Sequence, residues 1–295
     1  MLYRTLGSTG LNVSVVGIGT WQFGGEWGKQ FAQDEVDAMF ARGHDLGLNL
    51  IDTAECYGDH LSEQLIGKAI EGKRDQWILA TKFGHKFNGP FDRTEPRRPL
   101  DIITQLTDSL KALRTDHIDL LQYHSWGDDQ FFNAGVLEAL LRAKEQGLFR
   151  FLGNSVGSNG NVKQVAASRD MQIEAIQIIY NRLDRKPEEE VFAVCQQQHL
   201  GVLARVPLAS GFLSGKYKPG QVFEKGDVRE RQQRATIDAK LVEAERIQRE
   251  EVPPGVPMSQ WALAWCLKNA AVTSVIPGCK SVEQVEHNAA AAGLV

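Results

Sequence analysis

"LNLIDTAECYGD", residues 48–59, decides the fold. Leu48, Leu50 and Ile51 form a short apolar run that ends on Asp52, Thr53 and Glu55, with Tyr57, Gly58 and Asp59 just behind. An apolar stretch with little polar alternation suits a strand covered on both faces, as in a parallel sheet lying under helices. A burst of ionisable groups directly after such a strand suits the rim of an α/β barrel, where functional groups come from the C-terminal ends of the strands.

Seven more runs of this kind flank it: "VSVVGIGTW" (13–21), "WILATKFG" (77–84), "HIDLLQYH" (117–124), "FRFLGNS" (149–155), "EAIQIIYN" (174–181), "GVLARVPLA" (201–209) and "TSVIPG" (273–278). Helical patterns separate them. "DEVDAMFARGHDLG" puts Val36, Met39, Phe40 and His44 on one face, and "LSEQLIGKAIEG" does so with Leu61, Leu65, Ile66 and Ile70 before a stop at Gly72. "PLDIITQLTDSLKALRTD" repeats Ile103, Leu106, Leu110 and Leu113 behind Pro99; "VLEALLRAKEQG" ends at Gly147, and 161–168, 187–198 and 258–269 also fit helices. Eight strand-then-helix units in 295 residues predict a (β/α)8 TIM barrel, an α/β fold that needs about 250 residues. A doubly wound sheet fits less well, because Gly17 and Gly19 would need a third glycine where Gln22 stands. Residues 1–12, with Gly7 and Gly10, predict an N-terminal β-hairpin across the barrel bottom, and 1–295 reads as one barrel domain. The charged stretch 216–236 is long enough for a functional or mobile loop.

Composition narrows the function. The chain is 42% hydrophobic and 24% charged with a net charge of −4, which speaks against a nucleic-acid binder. Cys56, Cys195, Cys266 and Cys279 have no metal-finger or redox spacing. The first residues lack a signal-peptide core, and no apolar run approaches the roughly 18 residues of a membrane span. These features predict a cytoplasmic protein with no membrane partner; none of them sets an oligomeric state.

The runs end on Asp52, Lys82, His124, Asn154 with Ser155, Gln177 with Asn181, and Arg205. In a barrel these converge on one mouth. Such a set supports proton transfer by Tyr57: a nearby ammonium, Lys82, favours the phenolate, and a shift of two pH units down is worth about 2.7 kcal/mol. Asp52 would keep the buried lysine charged, and His124 would hold a substrate oxygen. Two other chemistries use the same residues: a Schiff base on Lys82, or a metal held by Asp52, Glu55 and His124. Neither accounts for the phosphate-site pattern at 277–288, so no metal ligands are assigned.

The blocks "DTAECYG", "LATKFG" and "DLLQYH" resemble signature segments of the aldo-keto reductases, and the resemblance extends over nearly the whole chain. It implies an NAD(P)H-dependent oxidoreductase that reduces aldehyde or ketone carbonyls or runs the reverse reaction, with NADP(H) preferred and NAD(H) as the alternative. Asp52, Tyr57, Lys82 and His124 would be the catalytic set. Ser155 and Gln177 would hold the carboxamide, although Val156 stands where the family often has an amide. Thr20, Trp21, Asp52, Arg205, Pro207, Leu208, Gly211, Leu213, Gly215 and Lys216 would line the rest of the cofactor. Gly278, Lys280, Ser281, Gln284 and Asn288 would meet the adenosine end, Lys280 and Ser281 at a 2′-phosphate. Ser281 followed by Gln284 also resembles a capping box, and a helix start after the eighth strand suits phosphate. Arg205 replaces a common aromatic, and is expected to pair with an acid or to meet substrate or phosphate. Trp21, Tyr57, His124, Trp126 and the 85–98 loop would wall a small-molecule pocket, left relatively open because the chain stops at Val295. The resemblance also implies an alternative, a cofactor-sensing regulatory subunit with little turnover, as in channel-associated chains of this fold.

Overall fold

A computed structural model describes residues 1–295. Eight strands, β1 (Ile18–Gly19), β2 (Leu50–Asp52), β3 (Ile78–Phe83), β4 (Ile118–His124), β5 (Phe149–Ser155), β6 (Ile173–Ile179), β7 (Gly201–Arg205) and β8 (Ser274–Val275), pair in parallel in chain order. Val16 bridges to Val275 and Gly19 to Gly278, and the Gly17 N–H donates to the Val275 carbonyl at 2.8 Å. These links join the last strand to the first and close the sheet into a barrel, leaving no free edge.

Helices α1 (Gln33–Asp45), α2 (Leu61–Ala69), α3 (Pro99–Ala112), α4 (Ala134–Glu145), α5 (Val162–Ala166), α6 (Val191–Gln197), α7 (Arg234–Glu250), α8 (Met258–Leu267) and α9 (Val282–Ala290) lie around it. Local chemistry sets their ends. Pro99 opens α3, where its missing N–H costs nothing, and the Asn133 side chain caps α4 by accepting from the Gly135 and Val136 N–H groups. The inner face of α1 is Val36, Met39, Phe40 and Gly43; His44, expected on that face, is exposed. The run 13–21 divides as well, because Val13 and Ser14 belong to the hairpin Tyr3–Thr5/Asn12–Ser14. No helix is long and apolar enough to cross a membrane.

The hairpin seals the lower end. Leu6, Leu11 and Val13 pack against Leu50, Ala80, Leu120, Ala175, Leu203 and Ile276 inside the barrel. At about 1.5–3 kcal/mol for each large side chain buried, this plug contributes several kcal/mol. Gly7 permits the approach: its φ is +54°, and a Cβ there would stand 2.2 Å from the Gly201 nitrogen.

Two residues further along the same strands the interior changes character. Leu50 is followed by Asp52, Ala80 by Lys82, Leu120 by Gln122, Ala175 by Gln177, and Leu203 by Arg205. A strand's period of two keeps each pair on the inner face. One barrel thus carries an apolar floor with a polar layer directly above it.

Candidate active site

Asp52 ends β2 and Lys82 lies near the end of β3, both inward and buried. Lys82 Nζ donates to Asp52 Oδ2 at 2.7 Å, to the Thr53 carbonyl at 2.7 Å and toward the Tyr57 hydroxyl at 3.3 Å. An ammonium has three protons, and here each has an acceptor. Burial works against the charge on Lys82, but Asp52 and Tyr57 outweigh it and hold its pKa above the ordinary value.

Gln177 on β6 donates to Asp52 Oδ1 at 2.6 Å and to Gln122 Oε1 at 3.1 Å, and Gln122 donates to the same Asp52 oxygen at 3.1 Å. Ser155 on β5 donates to Gln177 Oε1 at 3.3 Å. One buried network therefore runs from Ser155 to Tyr57. Gln122 was not anticipated from the sequence; its signal was its place two residues after Leu120 in an apolar run, on the inward face.

Tyr57 stacks beside Trp21, with ring centroids 6.2 Å apart, and meets the His124 ring edge-on at 5.9 Å. Burial pushes the Tyr57 hydroxyl up to about 12, although Lys82 pulls it down. This corrects the expected downward shift. Asp52 already neutralises most of the lysine's charge, so a net-neutral pair cannot offset the desolvation of a phenolate. His124 is held far below its ordinary value by burial, with Lys82, His85, Arg93 and Arg205 adding to the effect, so its ring is neutral. At neutral pH the group comprises a charged lysine, a phenol that retains its proton and a neutral imidazole. That arrangement can give a proton to an oxygen placed at the mouth.

The metal set considered from Asp52, Glu55 and His124 is not assembled, because Asp52 is turned to Lys82, Gln122 and Gln177. The donor atoms that do approach, within 4.8 Å of one another, are those of Glu55, Cys56 and His124.

A family model for the aldo/keto reductase family matches residues 15–295. The chain belongs to the aldo/keto reductase family. Aldo-keto reductase YhdN of Bacillus subtilis (strain 168) is 35% identical over 235 residues, covering 78% of this chain and 69% of that protein. Aldo-keto reductase yakc [NADP(+)] of Schizosaccharomyces pombe (strain 972 / ATCC 24843) is 29% identical over 266 residues, 87% of this chain and 77% of its own length. Among solved structures, aldo-keto reductase AKR11C1 from Bacillus halodurans (holo form) superposes with a TM-score of 0.82 at 30% identity, covering 99% of this chain and 90% of that one. This chain is thus an oxidoreductase of the aldo/keto reductase family on a (β/α)8 barrel.

Several residues expected to touch cofactor or substrate are placed differently in this aldo/keto reductase. The Trp126 side chain is not a pocket wall. It is buried against Phe83 and Tyr123, whose rings it meets edge-on at 5.6 and 5.5 Å, and its indole N–H donates to the Gly84 carbonyl at 2.8 Å. Thr20 is also turned inward: its hydroxyl donates to the Asp52 carbonyl at 2.9 Å and accepts from Ser62, so it braces β1 against β2. The Leu213 side chain is fully buried against Ile237, Leu241 and Met258. Arg205 has no acidic partner; its one hydrogen bond goes to the Val156 carbonyl at 3.1 Å, and its buried Nε has none. Trp21 remains beside Tyr57 and is bonded through its indole N–H to Glu26, which Arg93 of the hairpin Lys86–Gly89/Asp92–Thr94 clamps at 2.6 Å. His85, Lys86, Thr94 and Arg98 of the 85–98 segment line a separate polar cavity of about 450 Å³ beside Glu55, which Tyr57 and Trp21 do not border.

At the β8–α9 turn, Ser281 caps α9 by accepting from the Gln284 N–H, and Gln284 Oε1 accepts from the Lys280 N–H at 2.9 Å. The Asn288 amide donates to the Gly278 carbonyl at 3.4 Å. Lys280 Nζ donates to the Trp27 carbonyl; burial depresses its pKa, and the charges of Arg229, Lys29 and Lys216 add to this against the pull of Asp227. The 216–236 segment does not hang free. Asp227 bridges to Trp27, and Arg229 is pinned by Asp227 at 2.6 Å among Trp27, Tyr217 and Phe223. Pro207, Leu208, Gly211 and Gly215 lead into it from the end of β7, with Gly211 and Gly215 both at positive φ.

Glu55, which the sequence offered only as part of a metal set, is buried in the opening motif. Its Oε1 accepts from the His85 N–H at 2.8 Å, while the buried Oε2 has no partner. Burial pushes the carboxyl from 4.5 up to about 8. Between those values the unfolded chain loses this proton and the native chain keeps it, so this contribution to stability falls as pH rises through the window. Glu55→Gln is expected to stabilise the protein by up to about 3 kcal/mol at pH 7 and by little near pH 4.5. Urea unfolding at the two pH values measures the difference; an equal gain at both would show that Glu55 is not holding a proton.

Proposed function

We propose that this chain is an NADP(H)-dependent reductase of small aldehydes or ketones in the cytoplasm, able to oxidise the corresponding alcohols in reverse. The observation that carries this is the Tyr57 hydroxyl, resting on the Lys82–Asp52 pair and set beside the neutral ring of His124 at the barrel mouth. When bound, the nicotinamide supplies hydride from its C4 to the carbonyl carbon. The rest falls to the protein. His124 holds the carbonyl oxygen, Tyr57 gives that oxygen a proton, and Lys82, kept charged by Asp52, stabilises the phenolate left behind.

The residues suit a phosphorylated dinucleotide. Lys280 at the start of α9 has Lys29, Lys216 and Arg229 nearby, a basic surplus that Asp227, paired to Arg229, offsets only in part, and the backbone N–H groups there also favour an anion. Two unpartnered buried atoms, Gln22 Oε1 and Arg205 Nε, suit hydrogen bonds to the bound group, and Gln22 lies directly over Gly278, where a Cβ would meet its amide at 2.0 Å. The fission-yeast relative, whose name includes NADP(+), supports the same choice. Lys280→Ala is expected to raise the KM for NADPH by about ten- to a hundredfold, the worth of one charge-assisted hydrogen bond, and to change that for NADH little. Following NADPH and NADH oxidation with a panel of aldehydes tests both points. Equal losses for the two cofactors would remove Lys280 from any 2′-phosphate site. Tight NADPH binding with no turnover across the panel would favour the sensor reading instead.

A further inference from the structure

Cys56 directly precedes Tyr57, and the proposed chemistry leaves it without a task. It is fully buried, and its Sγ lies 3.6 Å from Nδ1 of His124. That sulfur is the one hydrogen-bond partner of Nδ1 in the chain, whereas Nε2 of the same ring has none and is not a buried orphan. The ring is held edge-on by Tyr57 on one side and by His85, at 4.7 Å, on another.

A neutral imidazole carries its single proton on one nitrogen, and the partner of the other nitrogen decides which. Burial among Lys82, Arg93 and Arg205 keeps His124 neutral, so the location of that proton matters. Burial beside Glu55 keeps Cys56 as a thiol, with a proton to give. A thiol sulfur is a weak acceptor, and the imidazole's lone-pair nitrogen is a good one, so the pairing favours S–H to nitrogen.

We propose that Cys56 is a positioning residue: its S–H donates to Nδ1 of His124 and so keeps the ring proton on Nε2, directed at the oxygen of a substrate carbonyl. With the proton on Nδ1 instead, the Nε2 lone pair would face that oxygen and repel it. The proposal rests on the reductase reading for its purpose, but the tautomer itself exists without turnover.

The test is 15N NMR of the full-length protein labelled at histidine, free and with NADP+, with the His124 signals assigned by their loss in His124→Gln. The expected spectrum has a proton-bearing Nε2 and a bare Nδ1. Cys56→Ala and Cys56→Val, neither of which can donate, are expected to show a mixture of tautomers. Their kcat for carbonyl reduction should fall about five- to tenfold, the scale of one modest hydrogen bond, with the Kd for NADPH within about twofold. Cys56→Ser, which keeps a donor, should recover most of both. A proton on Nδ1 in the wild type would overturn the proposal, as would non-donor variants with unchanged tautomer and kcat. A correct tautomer in a chain that reduces no carbonyl would instead count against the reductase reading.

Discussion

A Tyr57→Phe variant is expected to lose carbonyl reduction by about 10²- to 10⁴-fold in kcat, the usual worth of a placed proton donor. Binding of NADPH should change little, because the lost hydroxyl points to Lys82 and the mouth. The fold should survive, because the ring keeps its packing on Trp21 and His124 and only one oxygen is removed. The pH dependence sharpens the test. With the phenol pushed up to about 12, nearly every molecule carries the proton at neutral pH, so reduction should be flat from about pH 6 to 9. Alcohol oxidation needs the phenolate, whose fraction rises about tenfold per pH unit below that value, and should climb accordingly. Initial rates in both directions over this range give the answer. A phenylalanine variant within about threefold of wild type would remove Tyr57 as the proton donor. An oxidation rate flat in pH would place the proton elsewhere.

The second large effect is on stability and activity together. Lys82→Met is expected to destabilise the protein by about 3–5 kcal/mol, because it leaves the Asp52 carboxylate buried without its cation and the Thr53 carbonyl without its donor. Reduction should fall steeply as well, since nothing then stabilises a phenolate on Tyr57. The double variant Lys82→Met/Asp52→Asn removes both charges and should regain much of the stability, because a missing pair costs less than a broken one. Its activity should stay low. Urea unfolding of the wild type, the single variant and the double variant measures the coupling. A double variant no more stable than Lys82→Met would mean that the pair contributes little to the fold.

Much of the architecture was legible in the residues. The eight apolar runs, the glycines of the hairpin, Pro99 at a helix start and the Ser281–Gln284 pattern are local signals with a period or a steric reason, and such signals survive in a linear chain. The approach of Asp52, Lys82 and His124 was legible for the same reason: each lies at or next to the end of a strand, and a closed parallel barrel brings strand ends to one rim.

Other features depended on what packs against what. Trp126 sits two residues after His124 in sequence, yet its indole fills the layer outside the barrel, because a hydrogen bond to Gly84 and the rings of Phe83 and Tyr123 hold it there. The hydroxyl of Thr20 is taken up by Asp52 of the adjacent strand, a pairing that no spacing encodes. Burial set the proton state of Tyr57. The sequence offers Asp52 as the partner of Lys82, but only the packed barrel shows how deeply the phenol is desolvated and that the paired lysine does not offset this. The order of residues thus determined the elements, the barrel and which strand ends meet, because these follow from backbone period and local sterics. Solvent exclusion and partner choice decided which groups are free and charged, because both depend on neighbours brought from distant parts of the chain.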